Sequence, residues 1–150
     1  MEAMTIRSAR QDDVPAVVAM YNLSKGISAA TFDVKTVSNI FAKVQKHPNF
    51  HVYIAEINEK VVGTFMLVVM ADPGPGDLPH GVIENVAVHK RFQRQGIGKR
   101  MMQFAMEKCK EAGCRELRFS TNDRNAEVSR LFATLGFEQH GYGYVFDLDR

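Results

Sequence analysis

The sequence predicts an α/β domain built on a mixed sheet, and three observations carry that prediction. Apolar residues recur at helical spacing in four stretches, with short β-type runs between them. The second half reads strand, strand, helix, strand, helix, strand. The chain has 150 residues, 45% hydrophobic and 24% charged, with 11 Gly, 5 Pro and no low-complexity tract. That is the size of one domain, residues 1–150, which buries roughly 68–70% of the surface exposed when unfolded and needs no staples.

Residues 5–9 read as a short strand. Asp12 or Asp13 can cap a helix whose Val14, Val17, Val18 and Tyr21 share a face. Residues 24–30 (SKGISAA) are a flexible break. A second helix runs over about 33–46, with Val37, Ile40, Phe41 and Val44 on one side and His47-Pro48 ending it. Residues 51–57 and 61–71 form a hairpin about Asn58-Glu59-Lys60. Residues 72–77 (DPGPGD) are a loop of breakers, long enough to rim a site. Residues 82–88 (VIENVAV) make a nearly continuous apolar strand, interrupted by Glu84 and Asn85. A long helix over about 98–112 follows, with Ile97, Met101, Phe104, Ala105, Lys108 and Ala112 at steps of three or four and Gly113 at its C-cap. Its Met101, Phe104 and Met106 read as core rather than a cofactor box. Residues 117–121 are a strand, 125–135 a helix closed by Gly136, and 137–138 and 144–148 finish as short strands.

Composition excludes several classes. The longest apolar run, residues 61–71, is far short of the about 20 needed to cross a bilayer. The N-terminus (MEAMTIRSARQDD) lacks the apolar stretch of a signal peptide, so a soluble, cytoplasmic protein with no membrane partner is expected. A net charge of +2 is too mild to argue for nucleic acid. Its distribution says more: Lys90, Arg91, Arg94, Lys99 and Arg100 cluster with no acid between them, beside glycines, which suits a phosphate-bearing ligand. Cys109 and Cys114 have neither a zinc nor a redox spacing and read as reduced structural thiols. No H-E-x-x-H or His/Cys cluster suggests a metal, and His47, His51, His89 and His140 read as structural or exposed.

The segment Gln93-Arg-Gln-Gly-Ile-Gly98 lies between a buried strand and a long amphipathic helix. Glycines let a ligand approach the backbone, and the free N–H groups of a first helical turn attract anions. It is not a dinucleotide fingerprint, because Met101 stands at the third glycine. It is not a P-loop either, because Arg100 follows Gly98-Lys99 and the upstream glycine is missing. A plain strand–helix turn with a solvated basic face is the alternative.

The strand VIENVAV, then Q-x-x-G-x-G, a helix ending at Gly113, a strand, N-x-x-x-x-x-L-F and finally L-G-F resemble the GNAT superfamily of acyl-CoA-dependent N-acetyltransferases. Gln93, Gly96 and Gly98 match its loop signature, and Asn125, Leu131 and Leu135-Gly136-Phe137 its C-terminal motif. The resemblance implies a central mixed sheet of about six or seven strands flanked by about four helices. It implies acetyl-CoA as cofactor, with the diphosphate on the amides of Gln93, Arg94, Gln95, Gly96, Ile97, Gly98 and Lys99. The pantetheine arm would pair with the splayed backbone of Val86, Ala87 and Val88, as an added strand does. Asn125 would sit near that arm, or else cap its helix.

The resemblance also implies direct attack of a primary amine of a small molecule on the thioester, which calls for a base, donors for the developing oxyanion and help for the departing thiolate. Glu84 is the leading base, since burial in an apolar strand would raise its pKa; the alternative is a carboxylate pairing with Arg118. Asn85 alternates to the opposite face and should not share that role. His80, at the rim, is the second candidate base or otherwise a surface histidine. The backbone N–H near Val86 is the oxyanion donor. Many relatives carry Tyr where this chain has Phe132, which keeps the packing against the arm but donates no proton; Tyr142 and Tyr144 are nearby replacements, or the thiolate leaves unassisted. Acceptor choice would fall to residues 24–32, 72–79 and 142–144, which hold no acid cluster for a polycation. The strand resembles that of members acetylating small amines. A protein or peptide N-acetyltransferase and a non-catalytic acyl-CoA-binding module are the rival readings, and a homodimer is expected from the superfamily's habit.

Overall fold

The computed structural model describes residues 3–23, 32–71, 78–121, 126–141 and 143–149. Strands β1 (Met4–Ser8), β2 (Phe50–Ile57), β3 (Lys60–Met70), β4 (His80–Val88) and β5 (Glu116–Phe119) line up in chain order in one sheet. The first four pair antiparallel, and β5 joins β4 in parallel. The crossover between the parallel strands is α3 (Ile97–Glu111). Helices α1 (Val14–Leu23) and α2 (Val34–Val44) come between β1 and β2, and α4 (Ala126–Thr134) follows β5.

Local chemistry sets these elements. Asn58 and Glu59 take positive φ (49° and 61°), so Lys60 pairs directly with Ile57 across a two-residue hairpin turn. Asp33 caps α2, its carboxylate accepting from the Thr36 N–H at 2.9 Å. Arg7 on β1 bonds Asp13 before α1 at 2.8 Å and Glu56 on β2 at 3.1 Å, tying three elements together.

The sheet buries both faces. One core gathers Phe65, Leu67 and Ile83 beneath Met101, Met102 and Ala105 of α3. The other gathers Val14, Val17, Val18, Phe41 and Ile54 beneath α1 and α2. Gly63 and Gly81 lie where α3 rests: a Cβ at Gly63 would stand 2.8 Å from the Met101 sulfur, and one at Gly81 would collide with the Cys109 sulfur. Both cysteines are free thiols, and burial, reinforced by Cys114, pushes Cys109 up to about 12.

Four α-helices are present as expected, but the sheet has five strands among the described residues rather than six or seven. Residues 137–138 and 144–148 are not strands. Tyr144, Val145, Phe146 and Leu148 are at least 85% exposed. Their alternation would need a paired neighbour, and among the described residues β5 pairs only with β4. The expected break at 24–30 and the loop at 72–77 lie outside the described residues.

Candidate active site

Two irregularities coincide in the middle of β4. Thr64 faces Ala87 while Met66 faces Glu84, so Asn85 and Val86 together oppose the single residue Phe65. This is a β-bulge, and Asn85 adopts φ 54° to make it. On the other edge, β5 pairs with β4 only from His80 to Ile83. Among the described residues, 84–88 have no ladder partner on that edge, and the two parallel strands part there. Val86 and Val88 turn their side chains to the α3-side core and Ala87 is buried, which leaves their main chain for recognition.

The loop after β4 is braced by its own side chains. Gln93 Nε2 donates to the Val88 carbonyl at 3.2 Å, and Gln95 Nε2 to the Arg91 carbonyl at 3.2 Å. His89 Nδ1 accepts from the Arg91 N–H at 3.2 Å. Arg94 and Gly96 both take positive φ (63° and 83°) as the chain turns into α3. The Arg100 N–H bonds the Gly96 carbonyl at 3.1 Å, so the amides of Ile97, Gly98 and Lys99 precede the first helical bond, at the positive end of the helix dipole. Arg100 Nη2 donates to the Met4 carbonyl at 3.1 Å, fastening α3 to β1. Arg94, Gln95 and Lys99 are exposed around these amides.

The candidate acid–base groups differ from expectation. Glu84 is exposed, so the burial expected of it is missing: no described helix covers that edge. Nor does it pair with Arg118, whose Nε bonds Glu116 at 2.7 Å, an interaction that holds the Glu116 carboxyl below its ordinary range. Asn85 does not alternate to the far face, because the bulge rotates it. It lines a pocket together with Met66, the cross-strand partner of Glu84. His80 is not at the surface; it is the first residue of β4, buried, and its Nδ1 has no hydrogen-bond partner among the described residues. Four residue steps along β4 separate it from Glu84, roughly 13 Å. Phe132 stacks on Phe119 at 4.6 Å and meets Phe137 edge-on at 5.2 Å, so it anchors α4 beside the parted strands. Tyr144 is 92% exposed and packs into no site. Asn125 and Tyr142 lie outside the described residues.

The pocket itself was not apparent in the sequence. About 200 Å³ lies between α1, α2 and the sheet, walled by Tyr21, Phe32, Ile40, Phe41 and Met66 and reaching Asn85. Burial pushes the Tyr21 phenol up to about 12, opposed by its hydrogen bond with Thr64, whose own hydroxyl donates to the Tyr53 carbonyl at 2.9 Å. The signal available was a polar-tipped aromatic at the end of an otherwise valine-lined helix face, with Thr64 in an apolar strand.

Comparison with known proteins places this geometry. Residues 17–137 match the model of the Acetyltransferase (GNAT) family. The chain is 25% identical over 149 residues to the aminoalkylphosphonate N-acetyltransferase of Salmonella typhimurium, covering 97% of this chain and 92% of that one. Its fold superposes on a transcriptional regulator from Bacillus halodurans C-125 with TM-score 0.87 and 24% identity, over 97% of this chain and 100% of that one. It also superposes on glucosamine-6-phosphate N-acetyltransferase from Arabidopsis thaliana with TM-score 0.82 and 18% identity, over 99% and 100%. The chain belongs to the GNAT acetyltransferase family and is an acyltransferase.

Proposed function

We propose that the protein moves the acetyl group of acetyl-CoA to the primary amine of a small molecule, by direct attack within a ternary complex. The observation that carries this reading is the coincidence, at residues 84–88, of the β4 bulge with the end of β5 pairing. A strand edge opened there can take an extended amide-bearing arm as it would another strand. Acetyl-CoA supplies an activated acyl group on a thiol that leaves readily.

The chain's own groups have distinct tasks. The amides of 97–99, with Lys99 and Arg94 near them, hold the diphosphate, while Gln93 and Gln95 keep the loop in shape. The main chain of Val86, Ala87 and Val88 aligns the arm. The Val86 N–H, at the bulge, donates to the carbonyl oxygen where negative charge develops. Glu84 accepts the ammonium proton directly or through one water; its exposure gives that proton an outlet. The amine nitrogen then bonds to the acetyl carbon, the carbon–sulfur bond breaks, the nitrogen gives up its surplus proton to solvent, and the thiolate takes a proton from solvent, since Phe132 cannot donate one. Similarity to an enzyme named for an aminoalkylphosphonate supports a small amine over a peptide acceptor.

Thermal unfolding with acetyl-CoA, with CoA and with Gly96→Glu tests the cofactor, and thiol release with an amine panel tests the reaction. Ligand at 100 times its Kd stabilises by about 2.7 kcal/mol, and the variant should lose that shift. No shift in the wild type overturns the reading. A shift without thiol release from any amine or peptide identifies a non-catalytic acyl-CoA-binding module.

A further inference from the structure

We propose that the acceptor amine carries a single apolar substituent of arylalkyl or branched-alkyl size, seated between α1 and α2 with its nitrogen at the Asn85 bulge. The inference rests on the acetyl-transfer reading and concerns its acceptor alone.

The pocket's position is the first argument. Met66 is directly cross-strand from Glu84, and residues paired in this way have Cβ atoms about 4.5–5.5 Å apart. A substituent resting on Met66 therefore leaves its amine beside the carboxylate and the parted strand edge. Size is the second argument. An apolar cavity of about 150 Å³ suffices for benzene, so about 200 Å³ admits a phenyl ring with a short linker.

Lining chemistry is the third argument. The walls are Val, Ile, Phe and Met side chains with Tyr21, and no Asp or Glu lines the pocket among the described residues. A second ammonium group would lose its water there without meeting a counter-charge. Arg10, at the margin, adds a like charge against it. A hydroxylated substituent would likewise give up water to rest against walls that are mostly apolar.

The test measures thiol release by the wild-type chain at saturating acetyl-CoA. The panel is phenethylamine and isopentylamine against ethanolamine, 2-aminoethylphosphonate and spermidine. The apolar pair should show kcat/KM at least tenfold above the polar three, with each further buried methylene adding about fourfold. Ile40 lines the pocket but is 53% exposed, so Ile40→Lys should fold, as its melting curve will show. That variant should raise KM for phenethylamine at least tenfold and leave KM for acetyl-CoA unchanged. A tenfold preference for any polar amine overturns the inference, as does an Ile40→Lys variant with unchanged phenethylamine KM. If acetyl-CoA stabilises the chain but neither apolar amine is acetylated, the inference fails while cofactor binding stands. If acetyl-CoA gives no stabilisation, the parent reading has failed.

Discussion

The Met101 sulfur lies 2.8 Å from where a side-chain carbon at Gly63 would stand, with the Ile97 methyl group at 3.4 Å. Met101 is fully buried. Gly63 therefore sets how closely α3 approaches the sheet. Gly63→Ala should cost about 1–3 kcal/mol by overpacking, read as a lower Tm. It should also raise KM for acetyl-CoA, because the lifted helix carries the amides of 97–99.

Gly96 and Gly98 should separate cleanly. Among the described residues nothing lies within 4 Å of a Cβ at Gly96, but its φ of 83° strains any L-residue, so Gly96→Ala should destabilise the unliganded protein by about 1–2 kcal/mol. Gly98 lies in the first turn of α3 with ordinary φ, and its added carbon would touch only Leu131 at 4.0 Å. Gly98→Ala should be neutral or slightly stabilising. Melting curves of the two variants without cofactor decide this, and equal losses would contradict it.

The Arg7–Asp13–Glu56 tie makes stability depend on acid. Hydrogen bonds from Arg7 hold the Asp13 carboxyl below its ordinary 3.8, so its contribution is complete above that pH and disappears as pH falls through the lowered value. Asp13→Asn should cost about 1–3 kcal/mol at pH 7. In denaturant titrations the gap between wild type and variant should close progressively below pH 3.8. A constant gap down to pH 2 would show that packing, and not the charge, is responsible.

Glu84→Gln tests the proposed base. Exposed substitutions of this kind change stability by under about 0.5 kcal/mol, so Tm should hold. Thiol release should fall on the order of 10²–10⁴-fold with the acetyl-CoA thermal shift intact. Retained turnover would direct attention to His80, buried and with no partner for its Nδ1 among the described residues.

Periodicity made most of this architecture legible: the hairpin, the four helices and the β4–loop–α3 unit stand within a few residues of where their spacing places them. The bulge was not legible. Strict alternation assigns Glu84 and Asn85 to opposite faces, and only the pairing of Phe65 with two residues reveals the inserted one. Glu84 in an apolar strand implied burial, but that inference needs a covering element, and β5 stops at Phe119. His80 showed the reverse, a polar residue at a loop edge that the fold encloses. Residues 144–148 carry strand alternation without a strand beside them among the described residues, since pattern specifies a face and leaves the partner open. The pocket between α1 and α2 was hidden for a similar reason: its walls are residues that any core would use.

Arg100 reaches across 96 positions of sequence to the Met4 carbonyl. The helix end proposed to hold the diphosphate is therefore in register only after the first strand has docked. A ligand that needs this arrangement has nothing to grip in a partly assembled chain. Acetyl-CoA should accordingly leave the refolding rate unaltered and slow unfolding alone, lengthening the lifetime of the native state.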